Sequence, residues 1–252
     1  MSEADGWRRL TAFTPARLAL GRSGNGLPTT RVLEFQLAHA RARDAVHAPF
    51  EAAAVADALA PDSAVLLQSR APDRTAYLMN PDLGRVLDPQ SRARLSPGAY
   101  DAALVIADGL SATAIHAHGA ALARLVKAQM PDWRWAPMTV VTNGRVAIGD
   151  EVAQALGAAM AVVLIGERPG LSAADAVGIY LTWQPRPGVT RDAERNCISN
   201  VRPGGLDLAE AAHRLAWLMA EGRRLGTTGI ALKEDAPDLL PPGAQPATLA
   251  PS

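Results

Sequence analysis

Short apolar runs recur along the chain and are separated by segments with helical spacing. The run at residues 161–165, Ala-Val-Val-Leu-Ile, contains five apolar residues without polar alternation. Such a run is typical of a central strand that is buried on both faces of a parallel sheet. Further strand-like runs lie at residues 64–69, 103–107, 138–141 and 178–183. Because strands and helices alternate, the sequence predicts an α/β fold, namely a Rossmann-like open, mostly parallel sheet with helices on both faces.

The same pattern divides the chain into three parts. Residues 1–96 contain helical segments broken by Pro and Gly, which predicts a smaller, mainly helical amino-terminal region. Residues 97–235 carry the regular alternation and are expected to form the Rossmann-like domain. Residues 236–252 are rich in Pro and Ala, a composition that predicts a disordered tail.

Helix and strand signals near the end of the α/β region are specific enough to test. Apolar residues at steps of three and four over residues 208–222, followed by Gly226, predict a helix with a left-handed glycine cap. Asp150 is expected to cap a helix that ends at Gly157. Residues 228–232 are expected to form a strand that closes the sheet.

Charge and cysteine content exclude several classes of protein. The 252 residues include 25 basic and 25 acidic side chains, so the formal net charge is zero. This balance gives no electrostatic reason to expect nucleic acid or a membrane surface as a partner. One cysteine excludes an internal disulfide and fits a reducing compartment. The charged amino terminus and the absence of apolar runs near 18 to 20 residues predict a soluble, intracellular protein.

Candidate chemistry follows the predicted strand at residues 161–165. Glu167 and Arg168 come directly after it, and the only cysteine, Cys197, comes thirty residues after Glu167. Ligands of open α/β sheets bind outside the carboxyl ends of the strands, so the sequence predicts a crevice around Gly144, Glu167 and Cys197. Glu167 is either a general base or a loop charge paired with Arg168. Cys197 is either a nucleophile or a small packed residue.

Other motifs do not identify the ligand. The glycines of residues 21–26 match neither the dinucleotide nor the phosphate-loop spacing. His116 and His118 would point to different sides of a helix, and one cysteine is too few for a zinc site with thiolate ligands. The charges at residues 191–195 are expected to form a solvated face. Asp108, at a strand end, is expected to be a helix-start or turn residue.

Seven longer segments carry more information than these single residues. They lie at residues 14–22, 35–44, 80–85, 106–111, 144–146, 166–171 and 192–200. The sixth reads Gly-Glu-Arg-Pro-Gly-Leu and the seventh contains Asn-Cys-Ile-Ser. Spread over residues 10–235, they resemble the small subunit, or light chain, of ethanolamine ammonia-lyase. The chain is therefore identified as a member of that family.

The resemblance implies a function and a partner. The family enzyme is a carbon–nitrogen lyase that converts ethanolamine to acetaldehyde and ammonia by a radical mechanism, with adenosylcobalamin as cofactor. It is active only as a hetero-oligomer in which a large subunit binds ethanolamine. The small subunit covers the cobalamin at the subunit interface, and residues 1–96 are expected to contribute subunit contacts.

The resemblance also implies site residues. By motif match, the cofactor-binding residues are Val146, Glu167 and Cys197, where Val146 offers an apolar wall and Glu167 accepts hydrogen bonds from cobalamin amides. No catalytic residue and no metal ligand is expected in this chain. None of the five histidines lies in an Asp-x-His-x-x-Gly pattern. The resemblance therefore implies base-on cobalamin, in which the cofactor's own base is the lower ligand of cobalt.

The sequence leaves alternatives for the cellular location of the protein and for its function. Some family members carry a long amino-terminal extension for packaging into an ethanolamine microcompartment, whereas here the matched region begins near residue 10. A cytoplasmic location is expected, with packaging as the alternative. The rival hypotheses are a free-standing nucleotide-binding regulator and a cysteine-dependent hydrolase that uses Cys197.

Overall fold

A six-stranded sheet lies at the centre of the part of the chain that the structure describes. The structure, a computed structural model, describes Trp7, Leu10 and residues 13–14, 16–18 and 20–237. The strands are β1 (Ala64–Gln68), β2 (Tyr100–Ala107), β3 (Met138–Thr142), β4 (Ala158–Gly166), β5 (Val177–Trp183) and β6 (Arg195–Val201). Their order is β1-β3-β2-β4-β5-β6. The first four strands pair in parallel, and β5 is antiparallel to both of its neighbours, β4 and β6. The chain is therefore a mixed α/β protein with a mostly parallel sheet.

Helices connect these strands and flank the sheet. They are α1 (Thr29–His47), α2 (Ala52–Asp57), α3 (Arg74–Met79), α4 (Pro89–Ala93), α5 (Ala112–Ala114), α6 (Ala120–Gln129), α7 (Ile148–Leu156) and α8 (Leu208–Leu225). A π-helical turn, Ile115–Gly119, joins α5 to α6, and short 3₁₀ turns lie at Pro81–Arg85, Asp192–Glu194 and Gly229–Ala231. Strands and helices thus alternate from β1 to β4, as the sequence predicted, whereas β4, β5 and β6 follow one another without an α-helix between them.

Two apolar layers cover the two faces of the sheet. Successive side chains of a strand point to opposite faces, so Leu104 of β2 packs in one layer and Val105 in the other. The first layer includes residues of α2, α6 and α8, and the second is filled by α7. Because β2 and β4 are covered on both faces, residues 102–107 of β2 and all of β4 are apolar without alternation.

Most of the predicted elements are confirmed. The apolar runs at residues 64–69, 103–107, 138–141, 161–165 and 178–183 correspond to β1 to β5. Gly157 and Gly226 end α7 and α8 in the left-handed conformation, with φ of 69° and 67°. Glycine is favoured there because it has no Cβ to oppose a positive φ.

The predicted strand at residues 228–232 is wrong. Gly229–Ala231 is a 3₁₀ turn, and β6 takes the place beside β5 that this strand would have closed. Gly229 has a φ of 78°, which breaks an extended chain, and the Thr228 hydroxyl donates to the Glu194 carbonyl at 2.6 Å. The segment therefore packs against the start of β6.

The predicted division at residue 96 stays a prediction. β1 belongs to the predicted amino-terminal region and pairs with β3 in the same sheet as the later strands. The predicted tail falls almost wholly on residues 238–252, which lie outside the described residues. Within the described ranges, no helix has both the length and the apolar character needed to cross a membrane.

Candidate functional site

The loops after β2, β3 and β4 form a cleft at one edge of the sheet. These strands are parallel, so their carboxyl ends meet at the same edge. The chain leaves β2 towards β3 and leaves β4 towards β5, and this divergence is where α/β sheets bind ligands. The cleft has a volume of about 410 Å³. Its lining residues are Tyr77, Gly109, Leu110, Arg145, Val146, Ile165, Gly166, Glu167, Arg168 and Tyr180.

Two glycines let the loops after β2 and β4 approach each other. A Cβ on Gly166 would overlap the carbonyl oxygens of Ser111 and Asp108, and one on Gly109 would overlap the Gly166 carbonyl. Leu110 donates its backbone N–H to the Gly166 carbonyl at 2.9 Å. The backbone of the loop after β2 therefore contacts the backbone at the end of β4 directly at the base of the cleft.

Val146 lies in the turn between β3 and α7 and lines the cleft. It is half-buried, and its inner side packs against the apolar layer that α7 fills. The rest of the side chain presents an apolar surface to the cleft.

Glu167 follows the last residue of β4 and also lines the cleft. Its carboxylate oxygens accept the backbone N–H of Asn200 at 3.2 and 3.3 Å. A Cβ on Gly178 would lie 3.0 Å from Oε1 of Glu167, so the glycine makes room for the side chain. Among the described residues, Glu167 forms no ion pair with Arg168, and its carboxylate is fixed by backbone instead.

Cys197 lies on β6, opposite Tyr180 of β5, which lines the cleft. The residue is exposed. Partial burial of the thiol and the nearby Glu167 carboxylate raise the pKa of Cys197 above its ordinary value, although a hydrogen bond with Tyr180 opposes the shift. A raised pKa keeps the thiol protonated at neutral pH, which disfavours the nucleophile hypothesis.

The structure thus brings the three sequence-predicted residues to one cleft. Val146 and Glu167 line it, and Cys197 lies beside its Tyr180 wall. The three side chains come from the loop after β3, the loop after β4 and strand β6.

Tyr77 and Arg145 also line this cleft, but the sequence analysis gave them no role. The Tyr77 ring is fully buried between the guanidinium groups of Arg74 and Arg145, whose central carbons lie 4.9 and 4.2 Å from its centre. Its hydroxyl donates to the Gly144 carbonyl at 3.1 Å. Arg145 lies within a segment that carried the family resemblance, and this was its only signal.

Asp108 is more than the turn residue that the sequence suggested. Its side chain is buried and accepts the Gly144 N–H and Arg74 Nη1, both at 3.1 Å. Burial raises the pKa of Asp108 to about 6, while Arg74 and backbone N–H groups act in the opposite direction. The Asp108 side chain therefore connects the loops after β2 and β3 through its hydrogen bonds, but burial of its charged carboxylate costs free energy.

We expect Asp108 to make stability depend on pH. Its folded pKa of about 6 exceeds the ordinary 3.8, so the folded state binds the proton more tightly than the unfolded state. Stability contributed by this group therefore falls as pH rises from about 4 to 6, by roughly 3 kcal/mol at most. Urea unfolding of wild type and Asp108→Asn across pH 4.5–6.5 measures this. The wild-type free energy of unfolding should fall relative to the variant, and parallel profiles would contradict the assignment.

Asp150 and Arg195 form a buried ion pair beneath the site. Both carboxylate oxygens of Asp150 accept from the Arg195 guanidinium at 2.7 Å, and both side chains are almost completely buried. The predicted capping role of Asp150 is wrong, because its side chain is committed to this pair. The solvated face predicted for Arg195 is also wrong. The pair connects α7, which follows Val146, to β6, which carries Cys197.

These features define a class of protein. A mostly parallel sheet with a cleft at the carboxyl ends of its strands, lined by charged, aromatic and apolar side chains, is the architecture of a ligand-binding α/β protein. The side chains that line the cleft come from several different loops.

Comparison with known proteins specifies the family. Residues 4–233 match the family model for the ethanolamine ammonia-lyase light chain. The chain is 53% identical over 242 residues to the ethanolamine ammonia-lyase small subunit of Ralstonia nicotianae, covering 91% of this chain and 88% of that protein. The small subunit of Azotobacter vinelandii is 51% identical over 240 residues, covering 91% and 88%. The chain therefore belongs to the ethanolamine ammonia-lyase small-subunit family, and the predicted resemblance is confirmed.

Proposed function

We propose that this chain is the small subunit of an adenosylcobalamin-dependent ethanolamine ammonia-lyase and binds cobalamin at its interface with a large catalytic subunit. The complex converts ethanolamine to acetaldehyde and ammonia by a radical mechanism. Adenosylcobalamin, when bound, supplies the radical chemistry, and the large subunit binds ethanolamine. Family membership supports this function, and the sheet with its carboxyl-edge cleft supports a Rossmann-like type of cofactor domain.

One observation carries the proposal: Val146 and Glu167, from distant segments, line one cleft, and Cys197 pairs with Tyr180 in its wall. The rim of cobalamin presents amide side chains, whose N–H groups need acceptors. A carboxylate offers about four lone-pair sites, and Asn200 occupies only part of that capacity in Glu167. Val146 supplies an apolar contact, and neutral Cys197 allows close approach.

The size of the cleft agrees with partial coverage of the cofactor. At about 410 Å³ it is open and smaller than a whole corrinoid, which leaves the remainder for the large subunit that we propose as partner. We propose base-on binding, as the family resemblance implies, with the cofactor's own base as the lower ligand of cobalt. We assign this chain the binding and orientation of the cofactor, and no acid, base or nucleophile.

We expect Glu167→Gln to weaken cobalamin binding in the assembled enzyme. A hydrogen bond to a charged acceptor is worth about 1.5–3 kcal/mol, which corresponds to a dissociation constant raised roughly 10- to 150-fold. Equilibrium binding followed by the cobalamin absorbance spectrum measures the change. Glu221→Gln is the matched control, because Glu221 lies on α8 and pairs with Arg224 outside the cleft. Equal dissociation constants for Glu167→Gln and wild type would reject the contact.

We expect Cys197→Ser to preserve turnover and weaken cofactor retention only slightly. Serine keeps the size of the side chain, and the thiol is protonated in the wild type because burial raises its pKa. An acetaldehyde assay at saturating adenosylcobalamin, together with the cofactor dissociation rate, tests this. Complete loss of activity with normal cofactor binding would favour a nucleophilic role instead.

We also propose a cytoplasmic location, with packaging in an ethanolamine microcompartment as the alternative. Fractionation of cells grown on ethanolamine separates the two, because a packaged subunit sediments with the shells. The subunit contacts proposed for residues 1–96 can be mapped by hydrogen exchange in the presence and absence of the large subunit.

A further inference from the structure

The candidate cleft carries more positive than negative charge. Its ionisable lining consists of Arg145, Arg168, Glu167 and two tyrosines, and burial raises the pKa of both tyrosines, so they stay neutral. The cleft therefore has two cations and one anion, in a chain whose formal net charge is zero. Neither guanidinium forms an ion pair with a carboxylate of the described residues. The surplus charge is unexplained by the uncharged amides of a corrin rim.

Arg145 is the better held of the two cations. Its guanidinium stacks on the buried Tyr77 ring at 4.2 Å, and its Nη2 donates to the Tyr77 carbonyl at 3.4 Å. The Arg145 backbone N–H donates to the Gly84 carbonyl at 2.7 Å. A Cβ on Gly84 would lie 2.8 Å from both the Arg145 side chain and the Tyr77 ring, so the glycine leaves space for the stack. The planar group is thereby fixed in the cleft wall.

Most of the hydrogen-bonding capacity of Arg145 is unused within the described residues. A guanidinium has five N–H donors, and one side-chain hydrogen bond engages it here. The Nε atom is buried and has no partner among these residues. A fixed, planar donor group without a carboxylate partner suits an anion with several oxygens, above all a phosphate group.

We propose that Arg145, supported by Tyr77, binds the phosphodiester of the cofactor's nucleotide tail. This inference rests on the proposed function and adds an anion subsite to the Glu167 side of the cleft. Cobalamin has one phosphodiester, located between the corrin and the lower base. Arg145 would bind that group while Glu167 accepts hydrogen bonds from amides, so one small cleft would recognise two chemically different parts of the ligand.

The test compares corrinoids with and without the phosphate in the enzyme assembled with its large subunit. Dissociation constants are measured by absorbance titration for adenosylcobalamin, adenosylcobinamide phosphate and adenosylcobinamide, which lacks the phosphate. For Arg145→Met we expect about 10- to 100-fold weaker binding of the two phosphate-bearing corrinoids and an unchanged constant for adenosylcobinamide. Arg145→Lys keeps the charge and should show a smaller loss with the same selectivity.

Controls separate this inference from the function on which it rests. Arg224→Met, on the exposed end of α8, should leave all three constants unchanged. An equal loss for all three corrinoids in both Arg145 variants, or no loss for any, would overturn the phosphate subsite. If wild-type affinity for every corrinoid is the same with and without this chain, the proposed function itself fails.

Discussion

Asp150→Ala is expected to destabilise the chain by about 3–5 kcal/mol. The substitution removes the carboxylate that pairs with both terminal nitrogens of the buried Arg195 guanidinium, and breaking a buried ion pair from one side is among the costliest defects in a protein. Asp192 Oδ1 lies 3.7 Å from Arg195 Nε, but its side chain is almost completely in solvent, so it offsets little of the loss. Thr182 is the other hydrogen-bond partner of that guanidinium, through its hydroxyl at 2.9 Å, and a neutral hydroxyl cannot replace the lost charge. Urea unfolding of the isolated chain measures the loss as a lower transition midpoint.

The neighbouring residue provides the matched control for this substitution. Glu151 lies on the same helix and pairs with Arg92 at 3.4 Å, but the Arg92 side chain is 45% exposed, so solvent screens this pair far more than the buried one. Glu151→Ala should therefore cost about 1 kcal/mol or less. The double variant Asp150→Leu/Arg195→Met removes both charges and should be more stable than Asp150→Ala alone. Similar losses of stability for Asp150→Ala and Glu151→Ala would show that breaking the buried pair costs no more than breaking the more exposed one.

Gly166→Ala is expected to have the second large effect, on both stability and the cleft. Its new methyl group would overlap two backbone carbonyls, those of Ser111 and Asp108, and backbone cannot move aside as a flexible side chain can. Overpacking of this kind costs about 1–3 kcal/mol. Because Gly166 directly precedes Glu167, the shift should also displace the carboxylate from the Asn200 N–H. Urea unfolding and cobalamin titration of the assembled variant measure the two effects.

Gly170→Ala is the control from the same loop. A Cβ at Gly170 would lie 3.7 Å from the nearest atom, which is an ordinary contact. The free energy of unfolding and the cobalamin dissociation constant should both stay near wild type. If Gly166→Ala behaves like Gly170→Ala, the close approach of the two loops does not shape the cleft.

The sequence predicted the centre of the sheet well because the pattern there is local. β4 is covered on both faces, so every residue of its run is apolar, and Gly157 and Gly226 mark helix ends through their own backbone preference. β6 could not be found in this way. Of its seven residues, four are polar, and Cys197 lies among the exposed positions, so the strand has no clear apolar period.

The candidate site was predictable only in part, for a related reason. A strand-end position and a family motif were enough to single out Glu167. The partners that fix it, and the buried contact between Asp150 and Arg195, join residues 33 and 45 positions apart. Such pairs depend on how β6 packs beside β5, and no local pattern encodes that. Tyr77 has the same difficulty in part, because Arg74 precedes it by three residues on the same helix but Arg145, the nearer of its two arginine neighbours, is 68 positions away.

Helix α1 has a practical consequence for anyone who purifies this chain by itself. Leu33, Phe35 and Leu37 are each about half exposed along it, at 58%, 45% and 53%. Because the formal net charge is zero, electrostatic repulsion between molecules is too weak to oppose association through these exposed apolar side chains. We expect concentrated samples to aggregate near neutral pH. A buffer pH well away from 7 gives every molecule a net charge of the same sign, and the resulting repulsion should reduce aggregation.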